Sequence, residues 1–385
     1  MADFTLRPSQ RDYQARVRQL STDHLLALAT TGTEGRVNRP LLRAMGEFGL
    51  LRDLFGGEAG EAPRDAAAMQ LCLLRETIAA ISPEAETALA LQGLGSYPIL
   101  QSGSARTVQR WLPGVIAGTV VPAFALTEPE AGSDAAALSL RAEADGTGWR
   151  LHGAKVWISN APEADVYTVF ARTTAGAGAR GVTAFAVAGD SAGLGGEHLD
   201  LLSPHPIGRL TFDGVRVERA DVLGEVDAGF AVAMRTLDLF RPSVGAFAVG
   251  MATAAIAATI AHVTTRQAYG GPLSAQQSVA HTLASMSTDL EAARLLVYAA
   301  ASSYDAGADR GTITRSAAMA KLFATEAAQT IVDQCVQLHG ARALQRGHLL
   351  ERLYRDVRAP RIYEGASEVQ RSIIAREILK ERTVQ

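Results

Sequence analysis

The 385-residue sequence predicts an α+β protein: an N-terminal α-helical domain over residues 1–120, a central β domain over 121–225 and a C-terminal helical bundle over 226–385. Three observations predict it. Apolar residues recur at helical spacing through Tyr13 to Leu28, Leu41 to Leu51 and Met69 to Ile81. From Val121 to about Gly224 the pattern becomes alternating or β-rich, at Trp149 to Ile158, Val166 to Ala171, Val182 to Val187 and Leu210 to Val217, with Asp145-Gly146 at a hairpin. After Gly229 long Ala- and Leu-rich helical patterns return, and no G-x-G-x-x-G links a strand to a helix, which argues against a parallel nucleotide-binding sheet.

Taken in order, Phe55-Gly-Gly57, Ser82-Pro83 and Leu112-Pro-Gly114 supply the turn and stop chemistry of the first helices. The later helices read as Phe230 to Leu239, Val244 to Tyr269, Gln276 to Tyr304, Thr314 to His339, Leu349 to Val357 and Val369 to Leu379, the last opened by a capping box of Ser367 and Gln370. A net charge of -3 gives no basic field for nucleic acid or acidic membranes. The start, Met1 to Arg7, has no apolar signal core, and Arg, Asp and His interrupt the helical stretches. A cytoplasmic protein is expected, with neither nucleic acid nor membrane as partner. Cys72 and Cys335 lack metal or redox spacing and read as buried thiols, with no metal site. Lysine occurs only at 155, 321 and 380 against abundant arginine, a bias read as genome composition.

Five segments carry chemistry, each with an ordinary alternative. In Arg361 to Arg371, Glu364 lies in a Tyr-Glu-Gly turn where Gly365 permits a sharp bend and Ile362 and Tyr363 can shield the carboxylate, as a base requires; a solvated loop acid is the alternative. In Ala123 to Asp134, backbone N–H groups and the hydroxyls of Thr127 and Ser133 can grip a ring edge or an anionic oxygen, or the loop is a plain turn capped by Ser133 or Asp134. Lys155 to Asn160 puts Trp157 and Ser159 on one strand face, suited to a planar cofactor or to a core. Arg266, beside Gly-Gly-Pro, can clamp a phosphate or offset a helix dipole. Gln337 to Arg342 shows ordinary helix C-cap chemistry at Gly340, with His339 at the helix end.

In order and spacing, these segments make the chain resemble the acyl-CoA dehydrogenase family over nearly its whole length. The matching stretches are Gly103 through Trp111-Leu-Pro113 and Gly118, the Thr-Glu-Pro-x-x-Gly-Ser-Asp loop, Trp-Ile-Ser-Asn, Arg-x-x-Tyr-Gly-x-Pro-Leu and Tyr-Glu-Gly. The resemblance implies a four-helix bundle as the C-terminal domain, FAD as cofactor and a homotetramer. It sets Thr127, Gly132 and Ser133 beside the flavin ring, Trp157 near it and Ser159 close to N5. Arg266, Gln277 and the stretch from Gln337 to Gly340 would reach the FAD of a neighbouring subunit, Tyr269 would also contact FAD, and Ser367 and Glu368 would approach the pyrophosphate at a helix N-terminus. Arg241 borders the substrate cleft, which Ser133, Tyr363 and Gly365 would share.

The mechanism implied is removal of the α-proton of an acyl thioester by Glu364 with hydride transfer from the β-carbon to flavin N5, giving a trans-2-enoyl thioester. The carbonyl oxygen would be held by a ribityl hydroxyl and the Glu364 N–H, and electrons would pass to an electron-transfer flavoprotein. Some relatives carry the base just before the cleft arginine; here that residue is Phe240. Tyr269 stands where phenylalanine is usual, Ala366 where threonine is frequent, and Ala341 and Ala343 interrupt a Gly-rich run. Coenzyme A or an acyl carrier protein can carry the acyl group. A flavin monooxygenase or oxidase and a silent binding protein are the rival classes on this scaffold.

Overall fold

A computed structural model describes residues 6–57 and 61–383; the stretch read above for a signal core lies mostly outside them. The architecture is α+β, with helices to Ile116, a central sheet and long helices to the end. The chain forms two compact units. One, called here the helical unit, takes the residues up to Thr22, Ala67–Glu86 and everything from Asp238 onward; the other, the sheet unit, takes Asp23–Ala66 and Thr87–Leu237. The early helices are thus divided between the units rather than forming one of their own.

The sheet of the second unit runs Val222–Leu223, Val182–Ala188, Val166–Arg172, Arg141–Asp145, Gly148–Ser159, Ile207–Val217, Leu194–His198, and Pro122–Ala125 lies parallel to Val166–Arg172. Val166–Arg172 and Val182–Ala188 pair antiparallel in register Tyr167↔Val187 and are buried on both faces, which is why they read as continuous apolar runs. Phe170, Val182 and Leu223 pack with Ile99, Leu138 and Val232 to form this unit's core. Arg141–Asp145, too charged to read as a strand, is imposed by its hairpin with Gly148–Ser159. The sequence reading breaks at Leu112-Pro-Gly114, but the helix Ala105–Ile116 continues through Pro113. The turn comes instead at Gly118, with φ 69 and so little room that a Cβ would stand 2.0 Å from the Leu42 carbonyl oxygen.

The helical unit holds Ala68–Ala79, Gln277–Asp305, Arg310–His339, Leu349–Asp356 and Ser367–Thr383. The two helices expected at Phe230 to Leu239 and Val244 to Tyr269 are a single 37-residue helix, Gly229–Thr265, with Pro242 inside it. It ends before Tyr269, which sits in the turn of a small ribbon, Gln267–Ala268 against Gly271–Pro272. This helix also corrects the expectation that no stretch is apolar enough to span a bilayer: one window reaches a mean hydropathy of 1.9, and 67% of that window is buried within the protein, as in a core helix. Cys72 and Cys335 are free and buried.

Candidate active site

In the helical unit, Glu364 follows the short turn Ala359–Arg361 and precedes the helix Ser367–Thr383. Its backbone is left-handed, φ 51, and Gly365 follows at φ 95. Such a conformation costs a non-glycine residue about 1–2 kcal/mol, and contacts on the carbonyl side sustain it. Lys321 Nζ, fully buried, donates to the Gly365 carbonyl at 2.7 Å, and Gln370 Nε2 donates to the same oxygen at 2.8 Å and to the Glu364 carbonyl at 3.2 Å. A Cβ on Gly365 would stand 2.5 Å from Gln370 Nε2, so glycine is required there. The expected capping box is therefore absent: Gln370 serves the turn, and the Ser367 hydroxyl donates to Glu326 at 2.5 Å.

What the turn presents is unsatisfied. Glu364 Oε2 is buried with no hydrogen-bond partner, and no described group accepts the Glu364 N–H. Burial raises the carboxyl's proton affinity above the ordinary glutamate value, against the opposing pull of Arg75, Lys321 and Arg241. Ile362 and Tyr363 do not supply a full screen, being 57% and 38% exposed. Arg241, buried, lies in the helix Gly229–Thr265 and pairs with Asp238 at 3.0 Å, while its Nε has no partner.

The sheet unit holds a second constellation. Thr127 is half-buried, Gly132 and Ser133 are exposed, and neither hydroxyl has a hydrogen-bond partner among the described residues. Asp134 makes no side-chain cap, so the plain-turn alternative loses its capping role. A bulge between Lys155 and Ile158 breaks the expected alternation and leaves Trp157 at φ 58 and 54% exposed, which excludes the core alternative. Ser159 shares a 2.7 Å hydrogen bond with His205, whose ring burial pushes down to about 4 and keeps neutral.

Four residues that matter here were not singled out from sequence. Glu128 is buried: Oε1 accepts from Lys155 Nζ at 2.8 Å and Leu140 N at 2.9 Å, and Oε2 from Ser139 N at 2.6 Å and Ser139 Oγ at 2.9 Å. Lys155 also donates to the Leu126 carbonyl at 2.8 Å, tying the Thr127 to Ser133 loop to the Trp157 strand. The lysine scarcity was the available signal: Lys155 and Lys321 are both fully buried, and burial pushes each down to about 8. The others are Lys321 itself and His205, which lies 46 residues from its partner. Arg266, Tyr269, Gln277, Gln337, Gly340 and Glu368 are exposed on the helical unit, Tyr269 at 92% and φ 55. Gly340 caps its helix at φ 65, as its position suggested, and His339 Nδ1 bonds the Cys335 carbonyl at 2.9 Å.

Comparison with known proteins shows the family of the chain. Models of the acyl-CoA dehydrogenase N-terminal, middle and C-terminal domains match residues 7–119, 123–215 and 227–379. Cyclohexane-1-carbonyl-CoA dehydrogenase of Geobacter metallireducens is 35% identical over 369 residues, 95% of this chain and 96% of that protein. Butyryl-CoA dehydrogenase from Megasphaera elsdenii has a similar structure, with a TM-score of 0.91 at 30% identity over 98% of this chain and 100% of that one. PigA, solved with FAD and proline, gives 0.92 at 26% identity over 98% and 99%. The residues present fit FAD: an exposed indole on strained backbone, two unspent hydroxyls, and open space where a side chain at Gly132 would be. The chain is a member of the acyl-CoA dehydrogenase family, an FAD-dependent oxidoreductase acting on acyl-CoA.

Proposed function

We propose that Glu364 is the base of an α,β-dehydrogenation that converts a small acyl-CoA to its trans-2-enoyl thioester. One observation carries this reading: a single left-handed residue offers both a carboxylate oxygen without a partner and a backbone N–H without an acceptor. A main-chain donor with no acceptor, on the same residue as an unpartnered carboxylate oxygen, is free to serve a ligand. The carboxylate takes the α-proton, and the N–H donates to the thioester oxygen where charge gathers as the proton leaves. Burial brings the carboxyl's proton affinity closer to that of the acidified carbon, while Arg75, Lys321 and Arg241 favour its ionised form. Arg241, Tyr363, Gly365 and Ser133 are the proposed substrate contacts.

FAD, when bound, accepts the β-hydride. Thr127, Gly132, Ser133, Trp157 and Ser159 are proposed to hold its ring. Ser367 and Glu368 open a helix and are proposed to meet the pyrophosphate through its first-turn N–H groups, since the Ser367 hydroxyl is engaged by Glu326. The exposed set Arg266, Tyr269, Gln277, Gln337 and Gly340 suits contact with the FAD of another copy, so a homotetramer is proposed. An electron-transfer flavoprotein is the proposed acceptor, coenzyme A the carrier in preference to a carrier protein, and the cytoplasm the location. A small acyl group is favoured because the relatives named above act on butyryl-CoA and cyclohexane-1-carbonyl-CoA. Anaerobic titration with a panel of acyl-CoA thioesters tests the reading. Bleaching of the flavin band in wild type and its absence in Glu364→Gln is the expected result; equal bleaching in both overturns the assignment of the base.

A further inference from the structure

Within the sheet unit, one histidine that the reaction as described does not use bonds a residue of the flavin constellation directly. Ser159 ends the strand Gly148–Ser159, and its hydroxyl meets His205 Nε2 at 2.7 Å, its one hydrogen-bond partner among the described residues. His205 reaches it from the loop between Leu194–His198 and Ile207–Val217. That loop has little freedom here. Pro204 and Pro206 flank the histidine, and a residue before proline is held to extended backbone. Asn160 N donates to the Pro206 carbonyl at 2.7 Å, and Ser159 lies opposite Ile207 in the strand pair. The same short piece of ladder thus anchors both ring and hydroxyl, and neither can drift from the other without opening the end of the sheet.

A hydroxyl has one hydrogen and two lone pairs, so a single partner leaves it able to bond once more. Burial pushes the His205 ring down to about 4 and keeps it neutral, and a neutral ring offers Nε2 as donor or acceptor according to which nitrogen carries the hydrogen. Where Nε2 donates, Ser159 keeps its hydrogen for a third group; where Nε2 accepts, the serine oxygen keeps a lone pair for one. Flavin N5 accepts a hydrogen bond when oxidised and donates one once it carries the hydride, so that edge needs a partner able to do both. We propose that His205 is a positioning residue that holds the Ser159 hydroxyl toward flavin N5 and matches its bond in both oxidation states. This rests on Ser159 meeting the flavin, as proposed above. A histidine that only packed the loop would affect the cofactor whether or not Ser159 kept its hydroxyl; one that works through the hydroxyl loses its effect when the hydroxyl is gone.

The test is a mutant cycle on the FAD-loaded protein without substrate: wild type, Ser159→Ala, His205→Leu and the double variant, with His205→Gln as the conservative replacement whose amide can stand in for Nε2. FAD affinity is read from flavin fluorescence on dilution, and the midpoint potential from anaerobic dye-coupled reduction. Ser159→Ala and His205→Leu are each expected to weaken FAD about three- to tenfold, the double variant to be no weaker than Ser159→Ala, and His205→Gln to recover to within about twofold of wild type. Because the bond is matched in both states, the midpoint potential of His205→Leu is expected to stay at the wild-type value; a potential that moves with the affinity overturns the matching. If His205→Leu does not fold, His205→Asn, too short to reach the hydroxyl, takes its place. An equal loss from the His205 change with and without the Ser159 hydroxyl, or no loss while Ser159→Ala weakens FAD, overturns the inference; undiminished FAD affinity in Ser159→Ala instead removes the flavin contact on which it rests.

Discussion

Replacing Glu128 by glutamine is expected to destabilise the protein by about 3–5 kcal/mol at pH 7, the usual cost of breaking a buried ion pair from one side. Four donors converge on the carboxylate: Lys155 Nζ, the N–H groups of Ser139 and Leu140, and the Ser139 hydroxyl. A glutamine amide group has to face one pair of them with hydrogens of its own, and Lys155, fully buried, loses the negative charge that faces it. Deprotonation of the lysine caps the loss. Releasing a proton at pH 7 from a group with an ordinary value of 10.5 costs about 5 kcal/mol. Urea unfolding followed by circular dichroism at pH 7 reads the difference, and Glu128→Gln/Lys155→Met is expected to recover to within about 1 kcal/mol of wild type. The pH dependence has a definite sign. Lys155 and backbone donors hold the Glu128 carboxyl below 4.5, so its contribution is present above 4.5 and is lost as pH falls through the folded value. The penalty of the variant should therefore shrink on acidification. A single variant costing under about 1 kcal/mol at pH 7 would refute the reasoning.

Glu364→Gln should keep its FAD and lose about 10²–10⁴-fold in the rate of flavin bleaching, read by stopped-flow absorbance. Lys321→Met removes the charged donor to the Gly365 carbonyl, worth about 1.5–3 kcal/mol, and should slow bleaching about 10–100-fold at unchanged FAD content; an unaltered rate would mean that Gln370 alone holds the turn. Gly365→Ala meets both a φ of 95 and a 2.5 Å contact, so it should resemble Lys321→Met in rate while its far-ultraviolet dichroism matches wild type. Trp157→Ala should weaken FAD by about tenfold, corresponding to about 1–1.5 kcal/mol of aromatic contact, measured by flavin fluorescence on dilution; undiminished retention would show that the indole does not touch the ring.

Strand and helix type were legible wherever one periodicity ran unopposed, as in Val166–Arg172 or Gln277–Asp305. The sequence misleads at Pro242 and Pro113, where proline chemistry predicts a stop and the helix continues at the cost of one hydrogen bond. Trp157 was legible as chemistry but not as geometry, because a bulge depends on the partner strand and has no local signature. Glu364 stood out through Gly365. The groups acting on it did not: Arg75 lies on another helix, and Lys321 reaches Gly365 across 44 residues. Likewise Ser159 was found and His205 was not. Tertiary pairing of polar groups leaves almost no periodic trace, so the candidate site residues are easier to read than their distant polar partners.

Among the described residues, five non-glycines adopt left-handed backbone, and Trp157, Tyr269 and Glu364 are three of them. Glycine at any of these positions would relax the chain by about 1 kcal/mol. A laboratory selection for heat tolerance, carried out without regard to flavin, would therefore drift toward glycine or asparagine at 157, 269 and 364. Its winners would be robust, colourless or inert proteins. Screening such a library for retained yellow colour, and then for bleaching, would test the proposal that 157 and 269 hold the pigment and that 364 reacts.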